Sequence, residues 1–502
     1  MINYFLPAHR YLKIALLEQL CTRPVKLSTF STINDLPTST IKRYLNELQV
    51  EMENENIDFP LIFIDSDTCI LEKKKNCSKH LTMDVVEQIK YQILKNYSPA
   101  FVICELMCRG ERINLSKLQN LLLLSKSQIY KKIHELLSIL KTRNIEIRFN
   151  NDGILDFNGD ELDIRIFIYN FISDCFPKKY WFFSNTPKHQ VHMDLKKFSL
   201  FSNVSSYTLD KLCTFFGIVQ SRLLLKRFLT PIKKEFHSSF LRFSYIPFKE
   251  LQAYFINKRV FDEKLQYIEY LYLNFFLRIF IPDSISEESV RDIGKHIENS
   301  SNADHKFLKS LLSTWENVFE ISLPDKKRPF LLYNSALLSV LSFFIPNNIS
   351  LFLDNSDANL QIDSINRNIL GKVTNFISTF INEYDFPAKK KSYLKEKGIS
   401  PFTGLYYLET LMFLHPKLKI FMYFTTDFTS EKLLKNRIEQ FYNSNVIIFV
   451  NKIEDANIVL TDSYEDYPTS IKTIPILNFL TTTEISNIMN SIHEELVNQI
   501  IV

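Results

Sequence analysis

Glycine is nearly missing, with 8 residues in a chain of 502. A chain so poor in glycine holds few tight backbone loops able to cradle a phosphate. None of the eight falls in GxGxxG or GxxxxGK(S/T) spacing, which disfavours nucleotide-dependent enzymes of the Rossmann or P-loop type. Cysteine is sparse too: seven, odd in number, scattered, and absent after Cys213, a cytosolic usage rather than a disulfide framework. The first ten residues lack a basic segment followed by an apolar stretch, so no secretion signal is expected. The longest uncharged run, between Arg328 and Asp354, is broken by Asn334, Pro346, Asn347 and Asn348. Its apolar core of about 15 residues falls short of the roughly 20 a membrane span needs, so neither a membrane partner nor a location other than the cytoplasm is expected. No Ser/His/Asp or paired-carboxylate arrangement stands at a suggestive spacing, and no catalytic residue, metal or cofactor is assigned.

What is abundant is aromatic and apolar. The chain has 43 Phe and 23 Tyr, with 46% hydrophobic and 23% charged residues, the composition of a folded, helix-rich protein. Its length implies roughly three to five domains. The net charge of +4 conceals a polarity along the chain. Residues 81–150 carry eleven Lys/Arg against six Asp/Glu, residues 405–502 carry seven against twelve, and residues 1–80 balance at ten each. A basic block confined to one segment is an electrostatic footprint for nucleic acid.

The first third contains an internal repeat. Leu36, Ile41, Leu45 and Leu48 align with Leu124, Ile129, Ile133 and Leu136 at a constant offset of 88 residues. Apolar residues at i, i+4 and i+7 form one buried stripe of an amphipathic helix, with Lys42, Arg43 and Asn46, or Lys131, Lys132 and Glu135, on the solvent side. The periodicity predicts helices over residues 10–22, 28–35 and 38–53, then over 100–108, 116–122 and 126–141. Ser125 with Gln128 is a capping-box start, and Pro37 suits the first turn of the corresponding helix. Extended segments with turn signals follow each copy, Phe59–Leu71 around Asp65-Ser66-Asp67 and Ile145–Phe157 around Asn150-Asn151-Asp152-Gly153, and read as the wings of two winged helix-turn-helix modules. A second helix set in the major groove reads bases from its first turns. That geometry aims Thr38, Ser39, Lys42 and Arg43, then Lys126, Ser127, Tyr130, Lys131 and Lys132, at double-stranded DNA. The second copy is weighted more heavily because Lys126, Lys131, Lys132, Lys141, Arg143 and Arg148 outnumber Glu135 and Glu146.

With this helix pair, and the passage Leu155-Asp156-Phe157-Asn158-Gly159-Asp160-Glu161-Leu162-Asp163-Ile164-Arg165-Ile166-Phe167-Ile168-Tyr169 after it, the chain resembles the Mga/AtxA family of virulence-gene regulators of Gram-positive bacteria. The resemblance implies a mainly α multidomain chain: winged helix-turn-helix modules over 1–80 and 81–160, and helical bundles like sugar-phosphotransferase regulation (PRD) domains over 161–283 and 284–400. It then implies an α/β domain similar to a phosphotransferase EIIB subunit over 405–502, used for self-association as a homodimer. A phosphotransferase-system phosphocarrier is an implied partner. Alternatives are a PRD-type RNA-binding antiterminator, which would start with a small β-rich domain, and a phosphotransferase-system enzyme.

The texture downstream fits that order. Helical periodicity covers residues 209–228, 260–280, 289–297, 305–319 and 331–344, with a boundary near Ile281-Pro282-Asp283 and a solvated linker around Lys389-Lys390-Lys391. From Leu418 strands and helices alternate, which argues for a small parallel-sheet α/β domain. An EIIB enzyme carries phosphate on a Cys after its first strand, but here the turn reads Thr425-Thr426-Asp427-Phe428-Thr429, without Cys or Gly. Phosphorylatable PRD histidines have no match in Arg222-Leu223-Leu224-Leu225-Lys226-Arg227-Phe228. His296, His305 and His237 are the candidates, weighed against helix histidines with no role. His189 and His192 lack an evident third ligand, and Cys104 with Cys108 shares a helix face expected to pack in a core. Gly217 and Gly371, inside helical patterns, have no explanation in the sequence.

Overall fold

The computed structural model describes residues 2–22, 24–54, 61–63, 65–71, 79–178, 180–202, 204–344, 364–385, 391, 394–395, 399–414, 418–424, 428–442, 446–462, 471–476 and 482–501. The chain is mainly helical and divides into two compact units, Met1–Ser289 and Val290–Val502.

The first unit opens with α1 (Ile2–Phe5), α2 (Ala8–Thr22), β1 (Val25–Lys26), α3 (Leu27–Asn34), α4 (Thr38–Asn54), β2 (Leu61–Phe63) and β3 (Thr68–Leu71). β3 pairs antiparallel with both β1 and β2, so a small sheet closes the helix pair. The second copy runs α5 (Lys79–Tyr97), α6 (Pro99–Cys108), α7 (Leu115–Leu122), α8 (Lys126–Lys141), then the hairpin β4 (Glu146–Phe149) and β5 (Leu155–Asn158). The repeat extends to the backbone. Asp35 and Leu123, 88 residues apart, both take a left-handed conformation, at φ 50° and 54°, where α3 and α7 end. β1 was too short to read from periodicity. Its counterpart is a single bridge, Asn114 to Ile154.

The aligned stripes are buried as expected: Ile41, Leu45 and Leu48 in α4, and Ile129, Ile133 and Leu136 in α8. They belong to one core that joins both copies. Phe5 meets Phe101 and Phe171 edge-on at 5.6 and 5.7 Å, and the Arg10 guanidinium lies 3.5 Å from the centre of the Tyr97 ring. The core does not stop at residue 160. It continues into α9 (Glu161–Cys175), whose Ile164, Phe167, Ile168 and Phe171 face it.

The other face of α9 meets α11 (Ser206–Leu224) and α14 (Glu263–Phe280), which follow α10 (Lys188–Leu195) and enclose α12 (Lys234–Arg242) and α13 (Phe248–Asn257). Four charges are buried there. Arg165 donates to Glu161 at 2.9 Å and to both Glu269 oxygens at 2.6 and 2.9 Å, and Arg222 donates to both Glu161 oxygens at 2.9 and 2.7 Å. Burial works against the Arg165 charge, yet the Glu269 and Glu161 carboxylates hold its guanidinium above its ordinary value. Burial likewise pushes Glu161 up, but Arg222 and then Arg165 outweigh it, and its carboxyl sits below the usual range. Gly217, unexplained from sequence, is a close-approach position: a Cβ there would lie 2.6 Å from the Phe183 ring.

In the second unit α15 (Glu287–Asn299), α16 (Ala303–Val318), α17 (Arg328–Phe344), α18 (Ser364–Glu383) and α19 (Ile399–Leu414) form the helical part. Trp315 anchors it, donating to Thr410 at 2.9 Å with its ring 5.4 Å from Tyr406. Gly294, mid-helix in α15, is a close-approach position: a Cβ there would lie 2.0 Å from the Pro329 carbonyl oxygen. Gly371 has open space around it, and nothing in the structure explains it. A parallel sheet then alternates with helices: β6 (Leu418–Tyr423), α20 (Phe428–Phe441), β7 (Ile447–Val450), β8 (Ile458–Thr461), β9 (Lys472–Pro475) and α21 (Thr482–Ile501), in strand order β7-β6-β8-β9. Leu418 and Ile420 of the central β6 pack with Leu434, Ile438, Ile488 and Ile492 of the two helices. Residues 425–427, in the turn where an EIIB cysteine would stand, and Lys389 and Lys390 of the expected linker, lie outside the described residues. Among the described residues no helix is long and apolar enough to cross a membrane.

Candidate nucleic-acid interface

The second helix pair is set by its caps. Asn114 accepts from the Lys117 amide at 2.8 Å to start α7, and three residues, Leu123 to Ser125, turn the chain into α8. The capping box read from the sequence is present. The Ser125 hydroxyl accepts from the Gln128 amide at 3.3 Å, and the Gln128 side chain accepts from the Ser125 amide at 2.9 Å. Such a cap contributes about 1 kcal/mol and leaves the first turn of α8 with little freedom. With Ile129 and Ile133 turned inward, Lys126, Ser127, Tyr130 and Lys131 are turned outward and exposed together on one face.

Not every basic residue of this segment is available to a polyanion. Lys132 is half-buried and donates to both Glu135 oxygens at 2.9 and 2.8 Å. On the wing, Arg148 pairs with Glu146 at 2.7 Å. Arg143 is buried, its guanidinium 5.4 Å from the Phe167 ring centre, so it belongs to the core rather than to a basic surface. Lys126, Lys131 and Lys141 remain exposed with no carboxylate partner among the described residues.

In the first copy Ser39, Lys42 and Arg43 are exposed and Thr38 is half-buried at the start of α4. Arg43 leans toward Glu47 at 3.8 Å. The two wings are turned by the same device with different chemistry. Asp65 Oδ1 accepts from the Asp67 and Thr68 amides at 2.7 and 2.6 Å, whereas Asn150 Oδ1 accepts from the Asp152 and Ile154 amides at 3.0 and 2.9 Å. The Asp67 backbone hydrogen bond, then the Thr68 side chain, holds the Asp65 carboxyl below its ordinary value. Asp67 reaches back to α3, accepting from the Ser28 amide at 2.9 Å and its hydroxyl at 2.5 Å. A carboxylate at a helix N-terminus is favourably placed.

Two features of this region escaped the sequence reading. The Tyr130 ring stands edge-on to Phe149 of β4, centroids 6.2 Å apart and planes at 65°. The loop that follows α11 is also tied to this region, since Arg227 pairs with Asp156 of β5 and Thr230 donates to Asp160, just before α9, at 3.4 Å. Alternation along β4 puts Phe149 on the face of the buried Ile147, yet the structure leaves it 37% exposed at the strand's end. The tie to Arg227 spans 71 residues and leaves no local signal.

The remaining candidates fall elsewhere. His305 is 1% exposed, which closes it to a phosphodonor, while His296, its ring 6.0 Å away, is exposed on α15. His237 is half-buried and stacks on Tyr267 at 5.5 Å. Arg222, in the segment where a PRD histidine was sought, is spent on Glu161. His189 and His192 lie three residues apart in α10. Cys104 and Cys108 are buried with sulfurs 4.0 Å apart, and burial pushes the Cys104 thiol well up, the environment of a packing residue rather than a reactive one.

Comparison with curated proteins finds no match for the chain. A family model described as the Mga helix-turn-helix domain matches residues 76–172, the stretch from α5 through most of α9. That is the capped, basic copy together with its wing and the helix behind it, so the chain carries an Mga helix-turn-helix domain, as Mga/AtxA-like DNA-binding regulators do.

Proposed function

We propose that this protein is a cytoplasmic transcriptional regulator that binds double-stranded DNA through two winged helix-turn-helix modules. The observation that carries the reading is the outward face of α8, where Lys126, Ser127, Tyr130 and Lys131 stand exposed within the stretch that matches the Mga helix-turn-helix domain. Lys126, Lys131 and Lys141 contact phosphates, and α4 adds Thr38, Ser39, Lys42 and Arg43, with Lys132 in a supporting role through Glu135. Phosphate contacts fix register, while α8 supplies base contacts. The helical segments 161–283 and 284–400 act as PRD-like regulatory domains, and the acidic α/β segment 405–502 serves as an EIIB-like homodimerisation module. Virulence or carbohydrate-linked genes are the targets. His296 is the site a phosphotransferase-system phosphocarrier would use, since it is the exposed member of the α15–α16 histidine pair. The chain is not an enzyme in this reading.

A duplex-binding titration of the full chain at several salt concentrations tests the core of the reading. Log affinity is expected to fall linearly with log salt, with a slope of several units, as Lys and Arg release counterions. Equal or tighter binding to a hairpin RNA, or no salt-dependent duplex binding, overturns it.

A further inference from the structure

We infer that Tyr130 and Phe149 form an aromatic platform that reads the 5-methyl groups of thymine in the major groove, which makes thymine the base that the second module selects. The inference rests on the proposal that this face binds DNA and assigns what part of the DNA it recognises.

Two large rings are left partly in water at the place where the charge favours a polyanion. Tyr130 is 46% exposed and Phe149 is 37% exposed. One belongs to α8 and the other ends the first wing strand, and their edge-on contact bridges helix and wing. Tyr130 lies one turn beyond Lys126 and beside Lys131, so the rings sit inside a frame of ammonium groups. A hydrophobic protein partner would have to bury those charges to reach the rings. Duplex DNA meets both demands at once, because its phosphates suit the lysines. The thymine methyl is the apolar group that a base edge presents in the major groove.

The first copy supplies a contrast within the same chain. At the position 88 residues before Tyr130 stands Lys42, a point charge with no ring. The first module therefore holds phosphates without a methyl reader, and the second carries the preference. Leu121 and Leu123 are exposed at the end of α7, on the chain that leads into α8.

Duplexes selected from a random-sequence pool by the full chain provide the probe. Each thymine of a selected duplex is then replaced singly by deoxyuridine, which keeps base pairing and removes only the methyl. At one or more positions the wild-type chain is expected to bind the deoxyuridine duplex roughly tenfold more weakly, the size of a single lost base contact. Tyr130→Ala is expected to bind the thymine duplex roughly tenfold more weakly and to discriminate less than about twofold, with its salt slope unchanged because no phosphate contact is lost. Tyr130→Phe keeps the discrimination, and Lys131→Ala weakens both duplexes while preserving their ratio. Equal wild-type affinity for every substituted duplex overturns the inference. So does discrimination that survives in Tyr130→Ala. A pool from which no duplex is selected overturns instead the DNA-binding reading beneath it.

Discussion

The two copies of the repeated helix pair share a backbone course and differ in what they bury beneath their long helices. In the first, Lys13 of α2 is 2% exposed and donates to Glu47 at 3.1 Å and Glu51 at 2.8 Å. The positions 88 residues later hold Phe101, Glu135 and Ile139, and Phe101 is fully buried against Phe5, Phe171 and Phe176. At these equivalent positions one copy buries a half-sheltered ionic cluster and the other a cluster of packed rings. Ionic clusters of this kind return little net stability once desolvation is counted, whereas buried rings return several kcal/mol. The second copy, with the ring cluster, is also the copy whose long helix starts on a capping box beside the exposed Lys126 and Lys131. A packed aromatic foundation under the more basic face suits the proposed role of that module, which asks its base-contacting side chains to keep a fixed geometry.

The largest expected effect breaks the aromatic side of this contrast. Phe101→Ala should lower stability by about 3–5 kcal/mol through the cavity it leaves, read as a fall in the urea midpoint of helical circular dichroism. Lys13→Ala should cost about 2 kcal/mol, less than a fully buried broken pair because Glu47 keeps contact with water. If Lys13→Ala proves the costlier change, the contrast between the two foundations is wrong. Next comes the surface. Lys126→Ala with Lys131→Ala should weaken duplex binding about tenfold or more and reduce the salt slope by roughly two, and Lys42→Ala with Arg43→Ala should do less, since Arg43 is already drawn to Glu47. Equal losses in a fluorescence-anisotropy titration would place both copies on the DNA with equal weight.

A smaller effect concerns the tie behind the second wing. Asp156→Ala removes the Arg227 pair, and because both side chains keep partial contact with water the expected cost is about 0.5–1 kcal/mol. Faster amide exchange confined to β4 and β5 is its signature. The smallest effect distinguishes the wing turns by pH. Asp65 has its carboxyl lowered in the folded state, so its contribution is complete above the ordinary aspartate value and is lost as pH falls through the lowered one. Amide exchange at Asp67 and Thr68 should therefore accelerate on acidification relative to Asp152 and Ile154, whose acceptor is the neutral Asn150 amide, and Asp65→Asn should abolish the difference.

Much of this architecture can be read from local chemistry. The repeat shows in stripes spaced i, i+4 and i+7, α8 shows in Ser125 and Gln128, and the parallel sheet shows in apolar runs separated by amphipathic helices. What cannot be read is any group whose partner is remote. Lys13 finds Glu47 and Glu51 at separations of 34 and 38 residues, and Arg165 finds Glu269 at 104. Arg143 looks like another basic surface residue until the core closes over it. Of the residues proposed to face DNA, those on the exposed side of α8 are legible because inward residues define the outward ones by subtraction. The Lys132–Glu135 pairing and the Tyr130–Phe149 contact depend on rotamers and on how the wing folds back, neither of which the pattern encodes.

The four-charge cluster on α9 has a consequence for what can be moved between proteins. Glu161 and Arg165 stand inside the stretch 76–172, but Arg222 and Glu269 stand outside it. Residues 76–172 are thus not a portable cassette. Grafted alone onto another chain, they would expose Leu162 and Ile166, which line a small cavity with Phe215, Ile218 and Phe276. A working chimera has to carry α11 and α14 along, or have the second face of α9 rewritten for water.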